Sequence, residues 1–543
     1  MQRYASILPV VGFALLASLI GGTTVLAADR VRVSEGLLEG TVNADGTVRM
    51  FKGVPFAAPP LAGLRWKPPE PAPRWTGVRP ADRFGPPCLQ TDVFGDIYFR
   101  DAQPSEDCLN LDIWIPAKPA NKKLAVLVWF YGGGFVAGSA SEPRYDGENL
   151  ARKGIVVVNA NYRLGVFGFF SYPELTKESG RNASGNYGFL DQIAALDWVV
   201  RNIAAFGGDS RNITIAGESA GSFSVSALMA SPLSKDLFQK AIGESGAFFF
   251  SPSGPRTLPL IPLAETEQHG VRFAESLGAY TLAEMRAKPA EELLTAAAKP
   301  GQGFGPNLDG YFLSSNVRTA YERGAQSHVP LLAGWNADEG KAFVLLSAQK
   351  PTAKSFADQA QRRFGDHAAE FLKLYPAATD QEAIASAEAL AGDDFTAYAT
   401  WKWLDMQRKT GGAAVYQYHF EAVPPTKPGA MVGPVPASEL GSRHAGEIEY
   451  VFETLKSKPD LPWRGEDFKL SDVMSSYWAN FVKTGNPNGK GLPEWPKLDG
   501  QDGYQVMHLN SADIHADRDR TRARYEFLDL QSSSKPTPSP GTP

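Results

Sequence analysis

Short, uninterrupted apolar runs alternate with longer amphipathic stretches along most of this 543-residue chain. The runs at 124–130 and 155–158 contain no polar position, which suits strands buried on both faces of a parallel sheet. Between the second of these and the next such run, at 213–216, residues 191–206 set Ile193, Leu196, Val200 and Ile203 on one helical stripe that Gly207-Gly208 ends. Runs at 330–334 and 415–418 repeat the strand pattern. Upstream, 31–56 has hairpin character, with Asn43-Ala44-Asp45-Gly46 as its turn. An antiparallel entry followed by strand–helix alternation predicts an α/β fold built on a doubly wound, mostly parallel sheet.

The strand at 213–216 runs straight into Gly217-Glu218-Ser219-Ala220-Gly221, and 222–229 reads as the helix that follows. A serine with glycine two residues away on either side, between strand and helix, is the pattern of a nucleophile elbow. The tight turn leaves room only for small neighbours and lifts the serine oxygen above the strand's carboxyl end. Amides at the start of the helix then face any negative charge that develops on a substrate. In open α/β sheets the binding crevice lies at those strand ends. Tyr131-Gly132-Gly133-Gly134-Phe135 directly follows the 124–130 run, and its glycines bring backbone N–H groups close to a ligand, as an oxyanion hole requires. A phosphate-binding loop is the competing reading, and no Lys-Ser/Thr pair follows to support it.

Composition narrows the class. Hydrophobic residues at 43% and charged residues at 21% are ordinary for a globular protein. A net charge of −5 with no long basic run gives no reason to expect a nucleic-acid partner. No short repeat and no His/Cys cluster at metal-ligand spacing occurs. Arg3 precedes an apolar stretch from 7 to 26, and Val25-Leu26-Ala27 offers small residues for cleavage. Pro9, Gly12, Gly21 and Gly22 lower its hydrophobicity, so 1–27 reads as a signal peptide rather than a membrane anchor. Its removal leaves −6, and export makes the protein secreted or periplasmic. The two cysteines, Cys88 and Cys108, then read as one disulfide. Residues 531–543, rich in Ser and Pro, have the composition of a disordered tail.

A serine nucleophile needs a base, and the base needs an acid on its other nitrogen. On this kind of sheet they follow in the order Ser, Asp/Glu, His. Of the seven histidines, only His444 follows a late strand in a glycine-containing loop (Gly441-Ser442-Arg443-His444). His419 lies inside its own strand pattern and reads as a packing residue. Chain order alone leaves both Asp338 and Glu339 open as the acid.

The motifs together resemble the type-B carboxylesterase family, which includes cholinesterases and bacterial para-nitrobenzyl esterases. The resemblance rests on Ser105-Glu106-Asp107-Cys108-Leu109-Asn110-Leu111, Tyr131 to Phe135, Asn161-Tyr162-Arg163-Leu164-Gly165, Phe206-Gly207-Gly208-Asp209, Gly217 to Gly221, Glu244-Ser245-Gly246, Asp338-Glu339-Gly340 and the stretch from His444 to Phe452. It implies one α/β-hydrolase domain over 28–530, with large helical insertions, and a catalytic set of Ser219, Glu339 and His444. Gly133, Gly134 and Ala220 become the oxyanion donors by the same resemblance. Glu218 is either an electrostatic support for the histidine or a structural residue. Ser245 resembles a buried serine near the acid, and Arg163 with Asp209 and Arg65 with Glu106 resemble structural ion pairs.

The chemistry so implied is ester hydrolysis through an acyl-enzyme, on a small-molecule ester with a small to medium acyl group. It needs neither a metal nor an organic cofactor. Cholinesterases carry a choline-stacking tryptophan in the first disulfide loop, whereas the stretch between Cys88 and Cys108 offers Phe94, Tyr98 and Phe99 but no Trp. Phe248-Phe249-Phe250 stands where the family places acyl-pocket residues, and core packing is the alternative. A broad esterase, an amidase and an esterase dedicated to a natural-product or mycotoxin ester all remain open. A non-catalytic adhesion relative fits poorly, since the serine, acid and histidine are all kept.

Overall fold

The computed structural model describes residues 29–100, 103–118, 123–250, 260–500 and 503–533. The expected signal segment at 1–27 lies outside these residues. So does 534–543, most of the expected tail.

Thirteen strands among the described residues form one sheet. They are β1 Asp29–Arg32, β2 Leu37–Val42, β3 Val48–Pro55, β4 Val78–Pro80, β5 Asn110–Pro116, β6 Leu124–Phe130, β7 Val156–Ala160, β8 Gly208–Glu218, β9 Lys240–Glu244, β10 Leu331–Asn336, β11 Val415–Phe420, β12 Gln505–Leu509 and β13 Ile514–Arg518. Their spatial order is β1-β2-β3-β5-β7-β6-β8-β9-β10-β11-β12-β13, with β4 beside β2. From β1 through β3 and β5 to β7 the neighbours are antiparallel. From β7 across to β12 every pair is parallel. β13 closes the far edge antiparallel.

The entry hairpin forms where its turn residues dictate. The Asn43 side chain accepts from the backbone N–H groups of Thr47 and Val48, and Gly46 takes the positive φ of 73° that the turn requires. The helix read at 191–206 begins earlier, as α1 Tyr187–Asn202, and ends in a 3-10 turn closed by Gly207 at φ 84°. Gly188, in the first turn of α1, marks a close approach, since a Cβ there would sit 2.6 Å from the Arg163 carbonyl oxygen. The elbow helix, α2 Ala220–Ala230, is buried at every position. Its apolar and small residues on all sides allow this, and the hydroxyls of Ser222, Ser224 and Ser226 bond to backbone carbonyls. Strand β9 was invisible as an apolar run because Lys240, Gly243 and Glu244 interrupt it, yet all five residues are buried.

One expected ion pair is corrected. Arg163 forms a two-pronged contact with Asp191, at 2.8 and 2.7 Å, rather than with Asp209. Arg163 lies beyond the carboxyl end of β7, whereas Asp209 opens β8 at the opposite end of a parallel sheet. Asp191, on α1, is fully buried against the arginine. Arg65 does pair with Glu106, at 2.6 Å. Cys88 and Cys108 are disulfide-bonded, and closing a loop of this size contributes roughly 3 kcal/mol.

Candidate active site

Five consecutive carboxyl strand ends of the parallel region deliver the side chains of interest to one place. At the end of β8, Ser219 takes φ 53° and ψ −122°, a region that costs a non-glycine residue about 1–3 kcal/mol. The turn is held by the Ser219 N–H donating to the Glu244 carbonyl at 2.8 Å. Its glycines answer to backbone crowding: a Cβ on Gly221 would lie 2.0 Å from the Phe130 carbonyl oxygen, and one on Gly217 would lie 2.5 Å from it. Larger residues on either side would push β6 away from the serine.

The loop after β11 brings His444 over the elbow. Its Nε2 lies 2.9 Å from Ser219 Oγ, and its Nδ1 lies 3.2 Å from Glu339 Oε2. Glu339 follows β10 and is nearly inaccessible. Its carboxylate also accepts from the Asn336 N–H at 2.9 Å and from the hydroxyls of Ser245 and Thr396. Asp338, the other acid left open by chain order, turns away from the imidazole. It accepts from the Ser442 N–H at 2.8 Å and braces the histidine loop. Gly441 makes that brace possible, since a Cβ there would meet the Asp338 carboxylate at 2.1 Å.

The glycine loop after β6 lies alongside. Gly133 has φ 105° and Gly134 φ 62°, conformations that only glycine adopts cheaply. Among the described residues, the Gly133 and Gly134 amides have no acceptor. Ala220 begins α2, where amides lack an intrahelical partner. A Cβ on Gly132 would meet Ser219 Cβ at 3.1 Å, so this loop presses directly on the serine.

Comparison with known proteins agrees with this geometry. The family described as the carboxylesterase family matches residues 27–528. The chain belongs to that family. It is 36% identical over 490 residues to a fumonisin B1 esterase of Sphingopyxis macrogoltabida, covering 86% of this chain and 83% of that protein. It is also 36% identical to carboxylesterase 5A of Canis lupus familiaris, over 85% of this chain and 82% of the other. A solved PNB esterase structure superposes with a TM-score of 0.77 at 31% identity, over 92% of this chain and 99% of that one. The α/β-hydrolase architecture and carboxylic ester hydrolysis follow from these likenesses together.

The esterase surrounds His444 with acid. Glu218 Oε1 lies 3.3 Å from Nε2, and Glu447 accepts from the Asn336 side chain at 2.6 Å. Burial disfavours a charged imidazole, but the carboxylates of Glu218, Glu339 and Glu447 outweigh it and raise the His444 pKa above its ordinary value. Burial also opposes the Glu339 charge. The His444 imidazole and the hydroxyl donors prevail there, so its pKa lies below the usual glutamate value. Glu218, Glu244 and Glu447 are all pushed upward, with burial the leading cause.

Several neighbours carried no sequence signal. Thr396 reaches Glu339 from a helical insertion far along the chain, and the adjacent Phe395 packs its ring 4.8 Å from the imidazole. Phe395 also walls a cavity of about 790 Å³, together with Phe343, Lys350 and Arg362. Glu447 lies in the stretch from His444 to Phe452, but only the fold reveals its hydrogen bonds. Phe248 and Phe249 are buried among other rings, Phe248 beside Phe135 and Phe223 and Phe249 against Tyr321. In the disulfide loop, Phe94 and Tyr98 are half exposed and line a hollow of about 460 Å³ that Ala137 also walls.

Proposed function

We propose that the esterase works through Ser219 as nucleophile, His444 as general base and then general acid, and Glu339 as the carboxylate that orients and stabilises the imidazolium. The supporting observation is the unbroken line from Ser219 Oγ to His444 Nε2 at 2.9 Å and from His444 Nδ1 to Glu339 at 3.2 Å. The serine O–H donates to Nε2 and attacks the ester carbonyl as its proton moves to the imidazole. The amides of Gly133, Gly134 and Ala220 hold the tetrahedral oxyanion, each worth on the order of 3 kcal/mol of barrier. His444 then protonates the departing alcohol, leaving an acyl group on Ser219. A water molecule, deprotonated by His444, releases the acid by the same steps in reverse order.

The test is covalent. An organophosphate ester should label one residue, and peptide mass spectrometry should find the adduct on Ser219 with loss of ester turnover in proportion. An adduct elsewhere, or labelling without loss of turnover, would refute the assignment.

For the substrate, the proposal is an ester with a small to medium acyl group. A second reading, an esterase dedicated to a natural-product or mycotoxin ester, draws support from the likeness to a protein named fumonisin B1 esterase. Turnover of para-nitrophenyl esters of rising acyl length, beside esters of polycarboxylic acids, separates the two. A kcat/KM preference above about tenfold, or 1.4 kcal/mol, for the polyacid esters favours the dedicated enzyme. We also propose export through a signal at 1–27, which the disulfide supports. A mature N-terminus near residue 28, read from exported protein, checks it.

A further inference from the structure

Three of the seven histidines stand in a row that the sequence spacing conceals. His419 on β11 is the direct cross-strand partner of His508 on β12, and His508 that of His515 on β13. Directly opposed residues share a sheet face, and Glu421, two residues beyond His419, returns to that face. Its N–H donates to the Leu509 carbonyl and so continues the pairing. The side chains converge: Glu421 Oε1 lies 3.0 Å from His419 Nδ1 and 2.6 Å from His508 Nδ1. All three candidate ligand atoms lie within 4.8 Å of one another. They open into a cavity of about 350 Å³ whose wall includes Asp517 and Asp519, with Asp517 paired to Arg520 at 2.6 Å.

We propose that His419, Glu421 and His508 form a binding site for a divalent transition-metal ion such as Zn²⁺, separate from the Ser219 chemistry. Two imidazole nitrogens and one carboxylate oxygen are a donor set for zinc and its first-row neighbours, while Ca²⁺ and Mg²⁺ require more oxygens. Bonds of about 2.0–2.1 Å place tetrahedral ligands roughly 3.3 Å apart, so the contacts at 2.6 and 3.0 Å need to open by about 0.7 and 0.3 Å, while the two imidazole nitrogens, within 4.8 Å of each other, settle to the same spacing by ring rotation. A neutral ring that binds through Nδ1 carries its proton on Nε2, and the cavity leaves the fourth position to water. The ligands sit on or just beyond paired strands, and Trp335, the cross-strand partner of His419, backs the row. His419, read from sequence as a packing residue, is therefore part of a polar cluster. The ion would clamp β11 to β12 at the strand end from which the His444 loop departs. There the Phe420 carbonyl accepts from both Ala337 N–H and the Ser442 hydroxyl.

The test uses untagged, chelator-stripped full-length protein titrated with ZnCl₂ by calorimetry, and with CoCl₂ by visible absorption. Wild type should bind one ion per chain, with imidazole-type Co²⁺ bands and a thermal midpoint raised by Zn²⁺. Glu421→Gln and His508→Gln should each weaken binding at least about tenfold and abolish the thermal shift. Their turnover of para-nitrophenyl butyrate shows that they remain folded. If His508→Gln does not fold, the milder Glu421→Gln carries the comparison. No saturable binding by wild type, or equal binding by wild type and the folded variants, overturns the proposal. The first result leaves a hydrogen-bonded cluster only, and the second puts the ion elsewhere.

Discussion

Two clusters of histidine and glutamate sit at neighbouring strand ends of one sheet, and they are organised in opposite ways. At His444 a single ring points its two nitrogens at different partners, Glu339 on one side and Ser219 on the other. At Glu421 two rings, His419 and His508, turn the same nitrogen toward one carboxylate oxygen. The first arrangement can pass a proton along a line. In the second, among the described residues, neither ring bonds a hydroxyl, and both converge on one oxygen. Surroundings differ as well. Glu339 is almost wholly buried and keeps its charge against that burial, whereas Glu421 is only partly buried and is held low chiefly by the hydrogen bonds from His419 and His508. Residue type therefore says little about role. The direction in which the second ring nitrogen points, and what it meets there, says much more.

The contrast can be broken most severely at the serine. Ser219→Ala should reduce kcat/KM for a neutral ester by at least about 10⁴-fold with an unchanged thermal midpoint, and stopped assays on purified protein will show it. Next, Glu339→Gln should cost roughly 10³–10⁴ in kcat. Asp338→Asn should cost far less, because its carboxylate touches the Ser442 amide and not the imidazole. The reverse ranking would move the acid to Asp338. A third test is the pH profile. On the proposed mechanism neutral imidazole accepts the serine proton, so a His444 pKa raised above 6.5 makes kcat/KM rise with pH through a midpoint above that value. Glu218→Gln removes a carboxylate that favours imidazolium, so the midpoint should move down, by under about one unit. A midpoint that stays put or rises would make Glu218 structural. The smallest effect is expected at the other cluster: Glu421→Gln should leave ester kcat/KM within about twofold. A large loss would mean that the two clusters are not independent.

The sequence was most legible where one stretch carries both backbone and chemistry. The elbow at Gly217 to Gly221, the glycine loop at 132–134 and the fully apolar strands announce themselves because steric crowding and two-sided burial restrict what can stand there. The strands with interrupting polar residues did not. Lys240 and Glu244 are buried within β9, and Gly243 is there because a Cβ would collide with Trp403 at 2.2 Å, a tertiary reason that no local pattern holds. The Arg163 partner was misread because Asp209 is close in motif order, whereas burial against α1 selects Asp191. Thr396 and Phe395 belong to the site only through an insertion whose path is set by packing, and Glu447, though inside the His444 motif, shows its part only through its bond to Asn336. The row of histidines was hidden for the same reason: 419, 508 and 515 become neighbours through strand register alone.

The site's wiring has a consequence for how the chain is made. Ser219 and His444 are 225 positions apart, and His444 and Glu339 are 105 apart. Contacts that span such distances carry a loop-closure cost that local turns do not. The elbow can form with its own strand and helix, but the proposed base reaches it only once the loop after β11 is in place. A nascent or partly folded chain therefore carries a serine with no base. On the proposed mechanism hydrolytic competence arises with the completed topology, so a chain kept unfolded does no hydrolysis.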